Sequence, residues 1–503
     1  MPRHEASCIC VCKSSPKSTS FRVIFATKIQ NFPLSFSVYP HTFAPPTHNK
    51  LAKPRNVILL VADSLRYDAV YRDGGPGIPY LENYGTQFTN ARSAACWTLP
   101  ATSSLFSGLM PHEHGTTSQT RWFKDEVPSL ASKLKTAGYK PIMVTANSVT
   151  TDIFNVSKDF DEVHKAWQFT PTKHRWLLQT VLALNRPRVR KLILKPKDQF
   201  FEKASEDLRQ GIIYAQKTSH DTLGKAKQLI EEYNSKGQGT FVFINLMETH
   251  YPYHIADTFT MMNKTLLGKI HEWQILFHFL SQTFLKKDNS FIKQADLDLL
   301  RAKQQLAWKL VRDDINNFCR DMHQDQENLI VFCSDHGDNF GEQGWQYHFS
   351  NVTDAGNRVP LIWLDHENRK PETKTYNVSS RFLHHEILNS CGLDNEGGSL
   401  LQETDSNLPV MQSFWYNNEG RTLDKYKYNQ LAFVENDKRF VLRAGKWMYA
   451  PVASNGTEPT FELVDKNFNP LQELTLSSDR KKYLEKSIND FSVFSDKVMN
   501  KGE

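Results

Sequence analysis

Five short apolar runs constrain the fold more than any other feature of the chain. They are Asn56–Ala62 (NVILLVA), Lys140–Thr145 (KPIMVT), Phe241–Leu246 (FVFINL), Leu329–Cys333 (LIVFC) and Val359–Leu364 (VPLIWL). Alternating hydrophobicity would mark a sheet with one wet face. Near-continuous runs rich in β-branched and aromatic residues mark strands covered on both faces. Helical spacing lies between them, as in Val127–Ala137, which ends at Gly138, a residue suited to a helix C-terminus. Buried strands alternating with helices predict an α/β sandwich around a mostly parallel sheet. Ligands in that architecture gather at the carboxyl ends of the strands. The polar residues placed there are Asp63, then Glu248–His250, then Asp335–His336.

A chain of 503 residues is too long for one small core. Residues 53–407 are expected to form the main α/β domain. It carries helical insertions near 166–234 and 256–325, placed as a lid over the strand ends. Residues 408–503 turn over to shorter elements and predict a small α+β domain. Its Lys438–Tyr449 segment reads as a hairpin turning at Ala444–Gly445, Phe461–Asp465 as a strand and the last residues as a helix. Residues 1–52 hold one acid, Glu5, among many Lys, Arg, Ser and Pro. That composition fits a disordered tail; the alternative is a transit peptide, which leaves the compartment open between cytoplasm and organelle.

The net charge of +6 favours an anionic substrate and does not point to nucleic acid. No run reaches the ~18 apolar residues of a membrane span, which predicts a soluble protein. The basic stretch Arg186–Lys197 (RPRVRKLILKPK) is the candidate for peripheral contact with a membrane or lipid; its alternative is a helix with a solvated face. Seven cysteines without a paired spacing predict no disulfide framework.

Three stretches carry the chemistry. In VADSLRYD, Asp63 directly follows a buried strand, where a carboxylate either holds a cation or caps a helix. In CSDHGDNFGEQGWQYH, Asp335 and His336 are adjacent at another strand end, Gly337 allows a sharp turn, and His348 returns after a short loop. A carboxylate beside an imidazole suits zinc or manganese better than calcium. In ACWTLPATSSLFSGLMPHEHG, Pro100 suits the first position of a helix, whose free N–H groups attract anions. Thr98 at its mouth is either the helix cap or, beside a divalent ion, a nucleophile.

From about Arg55 onward these pieces resemble the sulfatase family of the alkaline-phosphatase superfamily. NVILLVADSLR, then IPYLENYGTQFTNARSAACWTLPATSSLFSGLMPHEHG, NLMETHYPY, SDHGDNFGEQG and VPLIW stand in the family's order, and FELVDKNFNPLQE resembles its late segment. The resemblance implies an alkaline-phosphatase-like α/β sandwich with a smaller C-terminal domain. The departures are specific. Sulfatases place Cys or Ser, later made formylglycine, before x-Pro-x-Arg; here Thr98 holds that position, Thr102 replaces the arginine, and Cys96 lies two residues off. Threonine cannot become formylglycine. A family aspartate pair becomes Asp63–Ser64, a Lys-x-His becomes Ala146-Asn147-Ser148, and His348 stands where a lysine is common.

These changes resemble the threonine-nucleophile branch of lipoteichoic-acid synthases and phosphoethanolamine transferases. The resemblance implies one Mn or Zn ion held by Asp63, Thr98, Asp335 and His336. It implies that His250 contacts the transferred group or protonates the leaving oxygen, that His348 stabilises charge on the same oxygens, and that Asn147 lines the substrate rim. A second metal on Glu248, His250 and His254 is the weaker alternative. The expected activity is hydrolysis or transfer of a phosphoester through Thr98. Sulfuric ester hydrolysis is one alternative, and a non-catalytic binding protein on the same scaffold is another.

Overall fold

The structure is a computed structural model. It describes residues 53–499 except 72–76, 172–216, 252, 254–264, 269, 272–273, 276–291, 325–326, 350, 367–369, 394–397, 405–407, 415–427, 453–461 and 464–467. The expected leader 1–52, the basic stretch Arg186–Lys197 and His254 lie outside the described residues.

An eight-stranded sheet forms the centre. In chain order its strands are β1 (Asn56–Ala62), β2 (Thr86–Phe88), β3 (Lys140–Thr145), β4 (Glu162–Lys165), β5 (Thr240–Leu246), β6 (Asn328–Cys333), β7 (Leu361–Leu364) and β8 (Glu372–Lys374). Their spatial order is β8-β2-β7-β6-β1-β5-β3-β4. The five strands from β6 to β4 are mutually parallel, whereas β7 runs antiparallel to both of its neighbours. All five apolar runs are strands, and the sheet is mostly parallel as expected.

The NVILLVA run is apolar throughout because both of its faces are buried. Val57, Leu59 and Val61 enter one hydrophobic cluster, and Ile58, Leu60 and Ala62 enter another on the opposite face. That split is the two-residue period of a strand. Burying each Val, Leu or Ile side chain contributes about 1.5–3 kcal/mol. Helix α1 (Thr98–Ser107) covers the first face with Leu99, Leu105 and Phe106. Helices α2 (Ser219–Ser235) and α3 (Gln294–His323) cover the second, with Leu223, Leu229 and Ile230 from α2 and Trp308, Ile315 and Phe318 from α3.

That packing revises one expectation. Helix α2 and most of α3 are layers of the sandwich rather than a lid, because their apolar stripes are sealed on the sheet. The start of α3 reaches the strand-end loops. There Leu297 and Leu300 join Tyr251, Tyr253 and Phe340, and Gln304 Nε2 donates to the carbonyls of Ser64 (2.9 Å) and Thr249 (3.1 Å).

A separate antiparallel sheet follows: β9 (Val410–Ser413), β10 (Gln430–Glu435), β11 (Lys438–Arg443), β12 (Lys446–Pro451) and β13 (Glu462–Leu463), each paired with the next. Ala444 and Gly445 turn the β11–β12 hairpin at the expected place, both with positive φ (51° and 70°), as a two-residue hairpin of favourable twist requires. Helix α4 (Ser478–Met499) brings Leu484 and Phe491 to the same cluster as Leu431 and Phe433. Buried Arg92 and Arg439 both pair with Asp354, tying β11 to the start of the Asp354–Asn357 helical turn.

Candidate functional site

Strand register places the polar residues together. Val61 pairs with both Asn245 and Cys333, so β1, β5 and β6 end at one level. Asp63 therefore emerges beside Asp335 and His336. Ser64 sits at φ 59°, a left-handed conformation unusual outside glycine, and its N–H donates to Asp335 Oδ1 (3.1 Å). Leu65 N donates to Ser334 Oγ (2.9 Å). These bonds lock the two strand-end turns to each other.

Gly337 plays a different part from the expected one. Its φ is not positive; instead, a Cβ there would stand 2.2 Å from the Ala355 carbonyl oxygen. The backbone passes too close for any side chain, and Gly337 N donates to Gly356 O (2.9 Å).

Helix α1 begins at Thr98, two residues ahead of the expected Pro100 start. Trp97 occupies the cap position with extended backbone and no side-chain cap bond. Pro100 still falls within the first turn, where a missing N–H is harmless. Thr98 is thus not the cap, and its hydroxyl is turned to the strand ends. Oγ1 lies 3.3 Å from His336 Nε2 and 3.4 and 3.5 Å from the two Asp63 oxygens. His336 Nδ1 donates to Gly337 O (3.0 Å), which leaves the Nε2 lone pair facing this cluster.

The electrostatics are those of a cation cradle. Asp63, Asp335 and His336 are fully buried, with ligand atoms all within 4.8 Å of one another. Burial, reinforced by the neighbouring Asp63 charge, pushes the Asp335 carboxyl well above its usual range. Burial pushes Asp63 the same way, but His250, His336 and the Asn147 amide outweigh it and hold that carboxyl low. Asp335 Oδ2 is buried and accepts no hydrogen bond. Two adjacent buried carboxylates need a proton or a cation between them. The orphaned oxygen and the inward imidazole lone pair fit a divalent cation.

Asn147 is buried behind this cradle, not at a substrate rim. Its Nδ2 donates to Asp63 Oδ2 (2.7 Å) and its Oδ1 accepts from Val149 N (2.8 Å). Asn245 Nδ2 donates to the same Asp63 oxygen (3.3 Å). Sequence reasoning missed Asn245, although a lone amide inside the apolar FVFINL run was a usable signal.

His250 and His348 lie on the other side. His250 Nδ1 donates to Tyr251 O (2.6 Å), and its Nε2 lies 3.4 Å from the Tyr347 hydroxyl. The His348 ring sits 4.5 Å from that of His336 and 5.1 Å from that of His250. His348 Nδ1 bonds Asp338 Oδ1 (2.6 Å), and Asp338 Oδ2 accepts from the Tyr253 hydroxyl (2.7 Å). Burial pushes Asp338 up to about 6 and His348 well below its ordinary value. Asp338 was also missed, because an acid two residues past Asp-His-Gly has no distinguishing pattern. His336, Asp338 and His348 could formally hold a second ion. The 2.6 Å contact between His348 Nδ1 and Asp338 Oδ1 is itself a hydrogen bond.

The alternative second-metal residue Glu248 is used structurally. Its Oε1 accepts from the N–H groups of Thr218 and Ser219 and seals the start of α2. Thr102, at the arginine position, is buried with no hydrogen bond to its Oγ1. Cys96 is buried against Ser413 and does not enter the site.

Known structures share this architecture. A phosphonate monoester hydrolase of Agrobacterium radiobacter superposes with a TM-score of 0.59 at 16% identity, covering 88% of this chain and 96% of that one. The lipoteichoic acid synthase LtaP of Listeria monocytogenes gives 0.54 at 13% identity, covering 90% and 94%. A protein solved with its substrate D-glucosamine-2-N,6-O-disulfate gives 0.53 at 13% identity, covering 88% and 98%. No curated protein matches the chain in sequence. The sulfatase family model matches residues 55–393, more than half of the chain and every element that builds the site. The chain belongs to the sulfatase family.

Proposed function

We propose that this sulfatase-family enzyme hydrolyses or transfers a phosphoester through Thr98, with manganese or zinc held by Asp63, Thr98, Asp335 and His336. One observation carries the reading: the Thr98 hydroxyl, uninvolved in helix capping, stands 3.3–3.5 Å from His336 and Asp63. Bound there, a divalent cation would make the hydroxyl more acidic and offset the charge of an anionic ester.

Thr98 Oγ1 forms the bond to phosphorus. Its proton has the Asp63 carboxylate in reach, through the oxygen that the cation does not hold; His336 Nε2, as a ligand, has no lone pair left to accept it. The free N–H groups at the start of α1 face the anion and favour the charge that develops on it. Protonated His250 gives its Nε2 proton to the leaving oxygen as that P–O bond breaks. His348 was expected to stabilise charge on the same oxygens. Held neutral by burial, with its proton on Nδ1 beside Asp338, it presents an acceptor at Nε2. That suits water or an acceptor alcohol better than an anionic oxygen. Water or the alcohol then takes the group from Thr98.

The decisive experiment is mass spectrometry of enzyme quenched during turnover of a phosphodiester. A phosphoryl adduct on the Thr98 peptide is expected. Turnover with no adduct, together with near-normal activity of Thr98→Ala, sinks the reading. Family membership favours a second reading, sulfuric ester hydrolysis. Aryl phosphate, phosphodiester and aryl sulfate assayed side by side separate the two, since the preferred ester names the group.

A further inference from the structure

Tyr347 has a backbone that its side chain does not favour. Its φ is 66°, in the left-handed region. For a bulky residue this is an outlier, and such strain gathers at functional sites. The neighbouring chain enforces it. Asn339 pairs with Tyr347 in a short antiparallel bridge, and Asn339 Nδ2 donates to Tyr347 O (2.9 Å). Thr353 Oγ1 in turn donates to Asn339 Oδ1 (2.7 Å), so the buried amide that holds Tyr347 is itself held.

The strained backbone sets the ring between two histidines. Tyr347 stacks on His348, with centroids 3.7 Å apart and planes at 28°. Its hydroxyl reaches His250 Nε2 at 3.4 Å. At the opposite end of the His250 ring, Nδ1 is anchored on the Tyr251 carbonyl (2.6 Å). With Nδ1 carrying a proton, Nε2 of the neutral ring can only accept, and the Tyr347 hydroxyl is the donor.

We propose that Tyr347 is a positioning residue for His250, fixing the ring from its Nε2 side so that this nitrogen delivers its proton to the leaving oxygen. This rests on the proposed role of His250. When His250 is protonated, its Nε2–H points between the Tyr347 and leaving oxygens; the proton passes to the leaving oxygen as the P–O bond breaks, and the phenol then donates to the freed Nε2 lone pair. The stack on His348 keeps the hydroxyl in place while that exchange occurs.

The test is Tyr347→Phe, which keeps the ring, the stack and the backbone. Two diesters are compared, one losing 4-nitrophenolate and one losing an alkyl alcohol. The first leaving group needs no proton and the second does. Expected is a fall in kcat of about tenfold or more for the alkyl ester with KM little changed. The 4-nitrophenyl ester should fall less than threefold. Equal losses on both esters, or none on either, overturn the proposal. The ¹⁵N spectrum of the His250 side chain provides an independent readout, with a disturbed Nε2 resonance expected in the variant. An unchanged Nε2 resonance in Tyr347→Phe also overturns the proposal. If wild-type enzyme shows no Thr98 adduct while the variant still disturbs His250, the nucleophile assignment fails and the positioning stands.

Discussion

Thr98 Oγ1 lies 3.3 Å from His336 Nε2 although 238 residues separate them in the chain. Thr98 caps nothing, so replacing it should leave α1 intact. Thr98→Ala is expected to lower turnover by about 1,000-fold or more while its melting temperature stays near that of the parent. Thr98→Ser, which restores the hydroxyl, should recover a large part of the rate. Steady-state kinetics with a melting curve checks both.

The Asp63–Asp335 pair is unfavourable without a counter-charge. Chelated enzyme should melt lower than enzyme supplied with zinc or manganese, and the gap should widen with metal concentration. Asp335→Asn removes one buried charge. Its chelated form should be at least as stable as chelated wild type, while the gain from added metal largely disappears. Calorimetry on four samples, two proteins with and without metal, reads this directly.

At Gly337 a methyl group has nowhere to go. Gly337→Ala drives a Cβ against the Ala355 carbonyl, and the backbone must shift beside His336. A loss of about 1–3 kcal/mol is expected, with metal affinity falling alongside. Gly224, inside α2, meets nothing within 4 Å at the same added atom. Gly224→Ala should therefore stabilise by about 0.5–1 kcal/mol. Urea midpoints of the two variants should move in opposite directions.

His114 sets an acid limit on stability. It is fully buried; Nδ1 accepts from Thr116 N (3.0 Å), so Nε2–H donates to Ser104 Oγ (3.0 Å). Burial, aided by His112, lowers its pKa to about 3. The unfolded value is about 6.5, so between the two the unfolded chain binds more protons. The stabilisation is full above that upper value and declines as pH falls, by up to about 1.4 kcal/mol per pH unit. His114→Gln cannot take up that proton. Its urea midpoint should fall less between pH 7 and pH 5 than that of wild type.

The residues legible in the sequence were those attached to a pattern. Asp63, Asp335 and His336 each follow an apolar run, and Thr98 precedes a proline-marked helix start. The structure brings these four side chains together because the strand ends meet. Asn147 was legible as polar but not in direction: only the turn after β3 shows that its amide faces Asp63. Asp338 joined the site through a hydrogen bond to a residue ten positions on, a relation without periodicity. The left-handed backbone of Tyr347 left no trace at all, since a tyrosine in a Gly-containing loop reads as ordinary. Helices α2 and α3 pack on the sheet where a lid was expected, because an amphipathic stripe states that a helix is covered on one side and not by what.

Local sequence determined which segments become strands, because period and burial are properties of a few consecutive residues. It also determined the chemical kinds available at the strand ends. Tertiary structure decided which of them meet. The register that pairs Val61 with Asn245 and Cys333 brings Asp63, Asp335 and His336 to one level, and a one-residue slip would turn every side chain to the opposite face. That choice is made by packing on both faces of the sheet, which no single stretch of the chain contains.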